Sequence, residues 1–410
     1  MSDILLRNAV ILTMDDKFTR IDRGALWVRD GRIAWLGPEE ALPGGERPQK
    51  VVDCRGGVVM PGLVNAHTHL AMTLMRGLGS DLPLQEWLFE RIFPVESVLT
   101  ADDCEWGSRL GVAEMLLSGT TCFADMYFYM DRTAEVVEET GIRACLSRGL
   151  MEGSEREEKL RENIALHARW HGGAGGRITV RLGPHAEYTN TRASMARFAK
   201  MARELGCGLM VHVSETEREV AQCAARHGVS PVAFLDDAGI FSVPCMAAHC
   251  VAVDEEDMDI LARRGVAVVH NPTSNLKLAS GVAPVTAMME RGIPIALGTD
   301  GCASNNNLDM WEEMHIAALA AKGFTKDPTA LGARAVLYMA TRGGARALGL
   351  EREIGSLEPG KKADLIVVDT AATVFHPLRE LENHLVYAAG RGDVRLTMVD
   401  GRVLAQDGKL

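Results

Sequence analysis

The chain has 410 residues, of which 47% are hydrophobic and 24% are charged, a composition typical of a folded globular protein. Its formal net charge of −11 and scattered Lys and Arg residues exclude the basic surface of a nucleic-acid binder, and no apolar segment approaches the ~20 residues of a membrane-spanning helix. Because the N-terminus lacks a signal-peptide pattern and the nine Cys residues form no CxxC pair, we expect a cytoplasmic protein with reduced thiols and no membrane partner.

Both ends of the chain have the pattern of short strands separated by turns. LLRNAVILTM, ALWVRDGRIAWLG and QKVVDCRGGVVM near the N-terminus are matched by KKADLIVVDTAA and VRLTMVDGRVLAQDGK near the C-terminus. Asp-Gly pairs beginning at Asp30 and Asp400 are typical of hairpin turns. We predict that residues 1–58 and 355–410 form one composite β-sandwich domain.

Between the ends, residues 59–354 alternate apolar strand-like runs with longer amphipathic stretches, as repeated βα units do. There are eight such runs: VVMPGLVNAH, TTCFADM, IRACLSRGL, ITVRLGPHA, GLMVHVSE, PCMAAHCVAV, VAVVHNPTSN and IPIALGTDG. Eight parallel strands close a barrel, so the predicted fold class is α/β, a (β/α)8 TIM-type barrel joined to the small β-sandwich.

Polar residues cluster where these runs end, which is where catalytic groups gather in a TIM-type barrel. His67 and His69 are two residues apart, so their side chains point the same way from a strand. With His212 and Asp300 they give three imidazoles and one carboxylate, a set suited to divalent zinc or iron. The sequence therefore predicts one mononuclear metal site with an open position for water.

Two further residues close to these runs allow more than one interpretation. Glu215 follows His212 by three residues and is predicted to be a general acid-base; alternatively it caps a helix, since Ser214 and Glu217 have capping-box spacing. His249 is a fifth ligand, a base that orients water, or a structural imidazole. The fourth run has no Lys to bridge a second metal, which favours one metal and leaves His249 to hydrogen-bond the metal-bound water.

The pattern of HxH, His212, His249 and Asp300, flanked by PGLVNAHTH and PGKKADLIVVD, resembles the amidohydrolase superfamily over nearly the whole chain. More narrowly, MTLMRGLGSDLPLQEWLFERIFPVE, HNPTSNLKLASGVAPV and LGTDGCASNNNLDM resemble the 5-methylthioadenosine/S-adenosylhomocysteine deaminases. The resemblance implies one divalent metal cofactor, zinc in the first place and iron in the second. It also implies a small-molecule nucleoside substrate whose 6-amino group is replaced hydrolytically to give an inosine-type product and ammonia.

Position by position, the resemblance implies that Trp87 packs against the nucleoside, Glu96 holds its ribose hydroxyls and His185 contacts the purine. Arg148 would pair with the homocysteine carboxylate of the larger substrate. A second Arg of the family pattern is replaced here by Lys159, a weaker bidentate partner, which puts the preference for that substrate in question. The structural alternatives are that Trp87 anchors a helix in the core and Glu96 only begins the next segment.

In the predicted reaction, the metal activates a water, Asp300 and His249 take its proton, and Glu215 protonates the adjacent ring nitrogen so that ammonia departs. Two alternatives stay open: an amidohydrolase acting on another heterocycle, such as a triazine hydrolase or a guanine or pterin deaminase, and a metal-free scaffold without catalysis. A scaffold should have lost its ligands, and all are present. Homo-oligomer formation, the native metal and the role of His270 stay open at this stage.

Overall fold

The computed structural model describes residues 3–44 and 47–410, which form mixed α/β structure. Its strands, numbered in chain order, are β1 Asp3–Leu12, β2 Arg20–Arg29, β3 Arg32–Pro38, β4 Lys50–Asp53, β5 Val58–Pro61, β6 Leu63–Thr68, β7 Thr120–Tyr127, β8 Arg143–Leu150, β9 Ile178–Val180, β10 Gly183–Pro184, β11 Leu209–Val213, β12 Cys245–His249, β13 Ala267–His270, β14 Ile295–Leu297, β15 Leu365–Val368, β16 Val394–Val399 and β17 Arg402–Gln406.

The helices alternate with the central strands and cover the outside of the barrel. Those of six residues or more are Ala101–Ser118, Met130–Thr140, Arg156–Trp170, Arg192–Leu205, Glu217–His227, Pro231–Asp237, Glu255–Arg264, Pro272–Lys277, Val285–Glu290, Met310–Thr325, Ala333–Tyr338 and Leu381–Tyr387. Shorter α-helical turns, Leu84–Glu86, Phe93–Glu96 and Gly344–Ala347, adjoin the π-helical segments Trp87–Ile92 and Met339–Gly343. No helix within the described residues is both long and apolar enough to cross a bilayer.

The two chain ends form one eight-stranded sheet in the order β17-β16-β15-β5-β1-β2-β3, with β4 paired to β1. Strand β5 joins the two ends, because it pairs in parallel with β1 and antiparallel with β15. Leu6 and Ile11 of β1, Leu365 of β15 and Met398 of β16 pack in one buried cluster on this sheet. The end sheet therefore has its own hydrophobic core.

The first apolar run, VVMPGLVNAH, is two strands rather than one. Residues 58–61 pair within the end sheet, whereas Leu63–Thr68 pairs with Thr120–Tyr127 in the barrel. Gly62 lies at the crossing, where an added Cβ would sit 2.1 Å from Thr121 Oγ1. A Cβ at this position would require Thr121 or the backbone to shift, so glycine is the residue that fits between the two sheets without strain.

Eight parallel strand positions form the central barrel, with β9 and β10 sharing the fourth position. Pairings run from β6 through β7 and β8 to β9 and β10, and from β11 through β12 and β13 to β14. The bridge between Leu182 and Leu209 joins these two sheets. The Asp300 amide donates to the His67 carbonyl oxygen at 3.0 Å and ties the eighth strand to the first. The predicted barrel fold is confirmed.

Candidate metal centre and active site

Four predicted metal ligands meet at the C-terminal end of the barrel. His67 Nε2 lies 3.5 Å, and His69 Nε2 3.3 Å, from Asp300 Oδ1. His212 Nε2 lies 3.3 Å from His69 Nε2. Their positions follow from the alternation of side chains in β6 and from the rule that parallel strands end together at one rim of a barrel. The structure therefore brings together all four side chains that the sequence pattern selects.

In two of the histidines, a hydrogen bond from Nδ1 fixes which ring nitrogen faces the centre. His69 Nδ1 lies 2.6 Å from the Met126 carbonyl oxygen, and His212 Nδ1 lies 2.7 Å from that of His185. A carbonyl oxygen only accepts, so each Nδ1 carries the proton and each Nε2 presents a lone pair. Histidine ligands of metals are held in the same way, by a hydrogen bond from the ring nitrogen that does not bind the ion.

The donor set fits a divalent cation. Two lone-pair nitrogens 3.3 Å apart, on His69 and His212, repel one another unless a positive charge lies between them. Among the described residues the buried His67 Nε2 has no hydrogen-bond partner. Burial lowers the pKa of His67 to about 4, which keeps its imidazole in the neutral form that binds metals. The residues present therefore match the metal that the sequence pattern implies.

Asp300 is oriented by two serines that the sequence analysis did not select. Its Oδ2 accepts hydrogen bonds from Ser274 Oγ at 2.7 Å and Ser304 Oγ at 2.9 Å, which leaves Oδ1 turned towards the imidazoles. Burial alone would raise the pKa of Asp300, but the nearby imidazoles, His67 first, hold it well below its usual value. The side chain is therefore an ionised carboxylate with one oxygen available to the centre.

His249 ends β12 with one ring nitrogen held and the other facing the site. Its Nδ1 lies 2.8 Å from Asn275 Oδ1, and its Nε2 lies 3.8 Å from Glu215 Oε2. Burial lowers the pKa of His249, but the carboxylates of Glu215 and Asp300 outweigh burial and raise it. An imidazole that only filled the core would not point a free nitrogen at a carboxylate, so the geometry disfavours the structural alternative for His249.

Glu215 does not cap the following helix, contrary to the alternative based on capping-box spacing. Thr216 is the N-cap of Glu217–His227, and its side chain accepts a hydrogen bond from the Glu219 amide. The amides of Ser214 and Glu215 donate instead to the Glu219 carboxylate, at 3.1 and 2.7 Å, which holds the loop in place. Glu215 itself is 5% exposed, and burial raises its pKa. It is a buried carboxyl group turned towards His249.

A cavity of about 680 Å³, including its open mouth, lies over the centre and is named the inner cavity here. Its lining includes eight of the predicted site residues besides apolar side chains: His69, Trp87, Glu96, His185, His212, Glu215, His249 and Asp300. Burial raises the pKa of Glu96 and lowers that of His185 to about 3. The buried Trp87 Nε1 finds no acceptor among the described residues. Small-molecule sites are typically apolar cavities with a few convergent polar groups such as these.

Arg148 and Lys159 do not line the inner cavity. Arg148 Nε donates to Glu162 Oε2 at 2.7 Å, and one of its terminal nitrogens donates to the Gly149 carbonyl oxygen at 3.0 Å. Lys159 Nζ pairs with Glu155 Oε2 at 3.1 Å. Both cations line a neighbouring cavity and already have carboxylate partners within the protein. The structure therefore places them beyond the inner cavity and pairs each with a Glu.

Several supporting residues escaped the sequence analysis because their own segments carry no ligand pattern. Asp125 Oδ1 accepts from the Leu70 amide at 2.7 Å and from Thr68 Oγ1 at 3.1 Å, and so fixes the turn that carries His69. Asn275 lies in HNPTSN, a segment singled out only for its histidine, His270. His270 is buried, and neither of its ring nitrogens has a partner within residues 3–44 and 47–410. Its role stays unassigned.

The comparisons with known proteins agree with this geometry. The sequence model of the protein family described as "Amidohydrolase family" matches residues 58–404. This chain belongs to the amidohydrolase family. The match begins in β5 and ends in β17, so it spans the barrel and part of the end sheet. Membership of the amidohydrolase superfamily, predicted from the histidine pattern, is thus confirmed.

Similar proteins cover almost all of this amidohydrolase. A 5-methylthioadenosine/S-adenosylhomocysteine deaminase of Desulforudis audaxviator is 51% identical, covering 98% of this chain and 93% of the relative. A 5'-deoxyadenosine deaminase of Methanosarcina mazei is 50% identical, covering 99% and 94%. The crystal structure of an adenosine deaminase from Xanthomonas campestris with bound zinc is similar to this chain, with a TM-score of 0.96 and 38% sequence identity. The match covers 100% of this chain and 94% of the other.

Proposed function

We propose that this amidohydrolase is a metal-dependent aminohydrolase that converts the 6-amino group of an adenosine-type nucleoside to the 6-oxo group, releasing ammonia. The observation that carries the proposal is the buried pair of Glu215 and His249 beside three imidazoles and Asp300 at the floor of the inner cavity. The names of the relatives, deaminases of 5-methylthioadenosine, S-adenosylhomocysteine and 5'-deoxyadenosine, support the same reaction.

We propose zinc as the ion, held by His67, His69, His212 and Asp300. Three neutral imidazoles and one carboxylate are a donor set that zinc prefers, and a similar structure was solved with zinc bound. When bound, the ion supplies the Lewis acidity that makes water a nucleophile near neutral pH.

The residues around the ligands would move the protons of the reaction. His249 donates from Nδ1 to Asn275, so its Nε2 carries the lone pair that takes a proton from the attacking water, with Asp300 as the second proton acceptor. Glu215, whose pKa is raised by burial, donates its proton to the ring nitrogen next to the amine-bearing carbon. One proton then returns to the departing amine. Overall, water and the aminopurine give the 6-oxopurine and ammonia.

The substrate would lie in the inner cavity. Trp87 offers an indole N–H without a partner to an acceptor atom of the nucleoside, and its ring packs against the substrate. Glu96 would accept hydrogen bonds from the ribose hydroxyls, and His185, on the same wall as His212, would contact the purine. These roles keep the amine-bearing carbon over the centre and the 5' end of the ribose towards the mouth.

The proposal is tested by assaying ammonia release by the zinc-loaded chain from adenosine, 5'-deoxyadenosine, 5-methylthioadenosine, guanine and a pterin, and chloride release from a chlorotriazine. The expected result is turnover of the adenosine-type nucleosides, with the matching 6-oxo product detected by its absorbance. Turnover of the triazine or the pterin alone would contradict the proposed substrate class. Loss of all turnover after chelation, and recovery after adding zinc, is the control for metal dependence.

A further inference from the structure

The two groups that take protons in the proposed reaction are held by residues from two segments of the chain. Asp300 Oδ2 accepts from Ser274 Oγ at 2.7 Å and from Ser304 Oγ at 2.9 Å. His249 Nδ1 donates to Asn275 Oδ1 at 2.8 Å. Ser274 and Asn275 follow β13, whereas Ser304 follows β14. The orientation of both proton acceptors therefore depends on how these two segments are held together.

The carboxyl group of Glu313 contacts both segments. This side chain is fully buried, and its Oε2 accepts from the Thr273 amide at 3.2 Å. Its Oε1 accepts from Asn305 Nδ2 at 2.6 Å, and the same nitrogen donates to the Thr299 carbonyl oxygen at 2.8 Å. One oxygen of Glu313 thus holds the segment after β13, and the other holds the segment after β14.

Each contact of Glu313 lies next to a serine that orients the carboxylate ligand. Thr273 immediately precedes Ser274 in one segment. Asn305 immediately follows Ser304 in the other. A segment that moves away from Glu313 carries its serine with it, and the hydrogen bond that turns the ligand oxygen towards the imidazoles is lost. Ligand groups must keep within about 0.5 Å of their productive position, so a small shift is enough to matter.

The environment of Glu313 is costly for a purely structural contact. Its partners are a backbone amide and an amide side chain rather than a cation, and burial raises its pKa to about 8. Burying an ionisable group without an opposite charge costs free energy, and buried acids of this kind concentrate at functional sites. Within the described part of the chain, the lining of the inner cavity contains Asp300 and His249 but neither Glu313 nor its partners. An effect of Glu313 on the reaction therefore has to pass through the residues that it holds.

We propose that Glu313 is a positioning residue of the metal centre. By holding the two segments together it keeps Ser274 and Ser304 on Asp300, so that one oxygen faces the metal and the attacking water. Residues that hold metal ligands contribute about 10- to 100-fold to affinity or activity, and one step further out the effect should be about 10-fold. The part of the inference that concerns catalysis rests on the proposed deaminase function, whereas the part that concerns the metal rests only on the ligand set.

The first test measures zinc binding and needs no turnover. Glu313→Ala removes both hydrogen bonds, so the Kd for zinc, measured by competition with a chromophoric chelator, should rise about 10-fold. Glu313→Gln keeps the length of the side chain and one acceptor oxygen, so its Kd should rise less, about 3-fold. A Kd equal to that of the wild type in both variants would overturn the proposal.

The second test separates positioning from substrate binding. At saturating zinc, kcat of Glu313→Ala with 5'-deoxyadenosine should fall about 10-fold, while KM should stay within about 2-fold because the cavity lining is untouched. Glu313→Gln should recover part of kcat. A loss that appears in KM alone would contradict a positioning role. If the wild type deaminates no adenosine-type nucleoside, the proposed function fails, and the zinc measurement still decides whether Glu313 positions the centre.

Asp257→Ala is the matched control for a loss of stability. Asp257 is also a buried carboxyl group, and it accepts from Ser230 Oγ and from the Asp254 amide, neither of which holds a site residue. This variant should lower the thermal unfolding midpoint much as Glu313→Ala does but leave the zinc Kd and kcat unchanged. Equal changes in the zinc Kd of both variants would show that Glu313 acts only through general stability, and the proposal would be wrong.

A double variant shows whether the effect passes through Asn305. Asn305→Ala alone should also raise the zinc Kd, because Ser304 is its neighbour in the same segment. When it is combined with Glu313→Ala, the rise should stay well below the product of the two single rises, since both substitutions remove the same hydrogen bond. Rises that multiply independently would contradict the proposed route from Glu313 to the metal.

Discussion

At the scale of single residues, substituting Glu215 tests proton donation separately from metal binding. The variant Glu215→Gln keeps the shape of the side chain but cannot donate a carboxyl proton, so kcat should fall by about 100-fold or more. The zinc content should remain one ion per chain, because Glu215 is not in the proposed ligand set. Glu217→Gln is the control, because Glu217 lies two residues after Glu215 and its side chain is exposed to solvent. Near-normal turnover by Glu215→Gln would show that the proton comes from elsewhere.

At the scale of single residues, the sequence alone also predicted the metal ligands. The ligand candidates could be selected because each ends an apolar run, and the end of a parallel barrel strand has one fixed location. Ser274, Ser304 and Asn275 could not be selected, because hydroxyl and amide side chains are common in loops and only the folded chain brings them to Asp300 and His249. Positioning residues of this kind have no spacing of their own to detect.

At the scale of elements, apolar runs located the barrel strands but not their partners. A strand buried on both faces has a continuous apolar pattern whichever sheet it joins. The pattern therefore could not divide VVMPGLVNAH at Gly62 or show that β5 pairs with the end sheet. Similarly, the capping-box spacing selected Ser214 as the cap, whereas in the structure Ser214 has φ +47° and Thr216 is the N-cap.

A substitution of Gly62 tests directly how closely the strands β6 and β7 approach one another. In Gly62→Ala the new Cβ would meet Thr121 Oγ1 at 2.1 Å and Thr121 Cγ2 at 2.2 Å, so β6 or β7 must shift. We expect the free energy of unfolding to fall by about 1–3 kcal/mol, the range for an overpacked site. Gly392→Ala is the control, because an added Cβ there has no atom within 4 Å. Equal unfolding midpoints in urea for both variants would contradict the close approach at Gly62.

A second element-scale prediction concerns pH. Glu313, on the helix Met310–Thr325, accepts from Asn305 Nδ2 at 2.6 Å and the Thr273 amide at 3.2 Å, and burial raises its pKa to about 8. Because its pKa in the folded state lies above the ordinary value of 4.5, its contribution to stability is complete below that ordinary value and is lost as pH rises through about 8.

Relative to Glu313→Gln, the wild-type protein should therefore lose about 2 kcal/mol of unfolding free energy between pH 6 and pH 8. The comparison is made by urea unfolding of both proteins at the two pH values, so that all other titrating groups cancel. An unchanged difference between the two proteins would show that Glu313 keeps an ordinary pKa in the folded state.

For the whole molecule, the two chain ends and the barrel are joined by more than the strand β5. Arg143 on β8 makes a bidentate pair with Asp364, at 2.7 and 3.1 Å, and both side chains are almost completely buried. Asp364 also accepts from the Asp400 amide, at the turn between β16 and β17. The sequence predicted that the ends meet, since their strand patterns match, but a pair separated by 221 positions left no local signal.

The central claim is that His67, His69, His212 and Asp300 hold one divalent ion, and an anomalous-scattering measurement on crystals of the zinc-loaded chain tests it most directly. We predict one strong peak at the zinc edge, about 2.0–2.2 Å from three Nε2 atoms and from one carboxylate oxygen of Asp300. A peak bound by other side chains, or no peak in a crystal that contains zinc in its buffer, would contradict the metal centre and the proposed reaction with it.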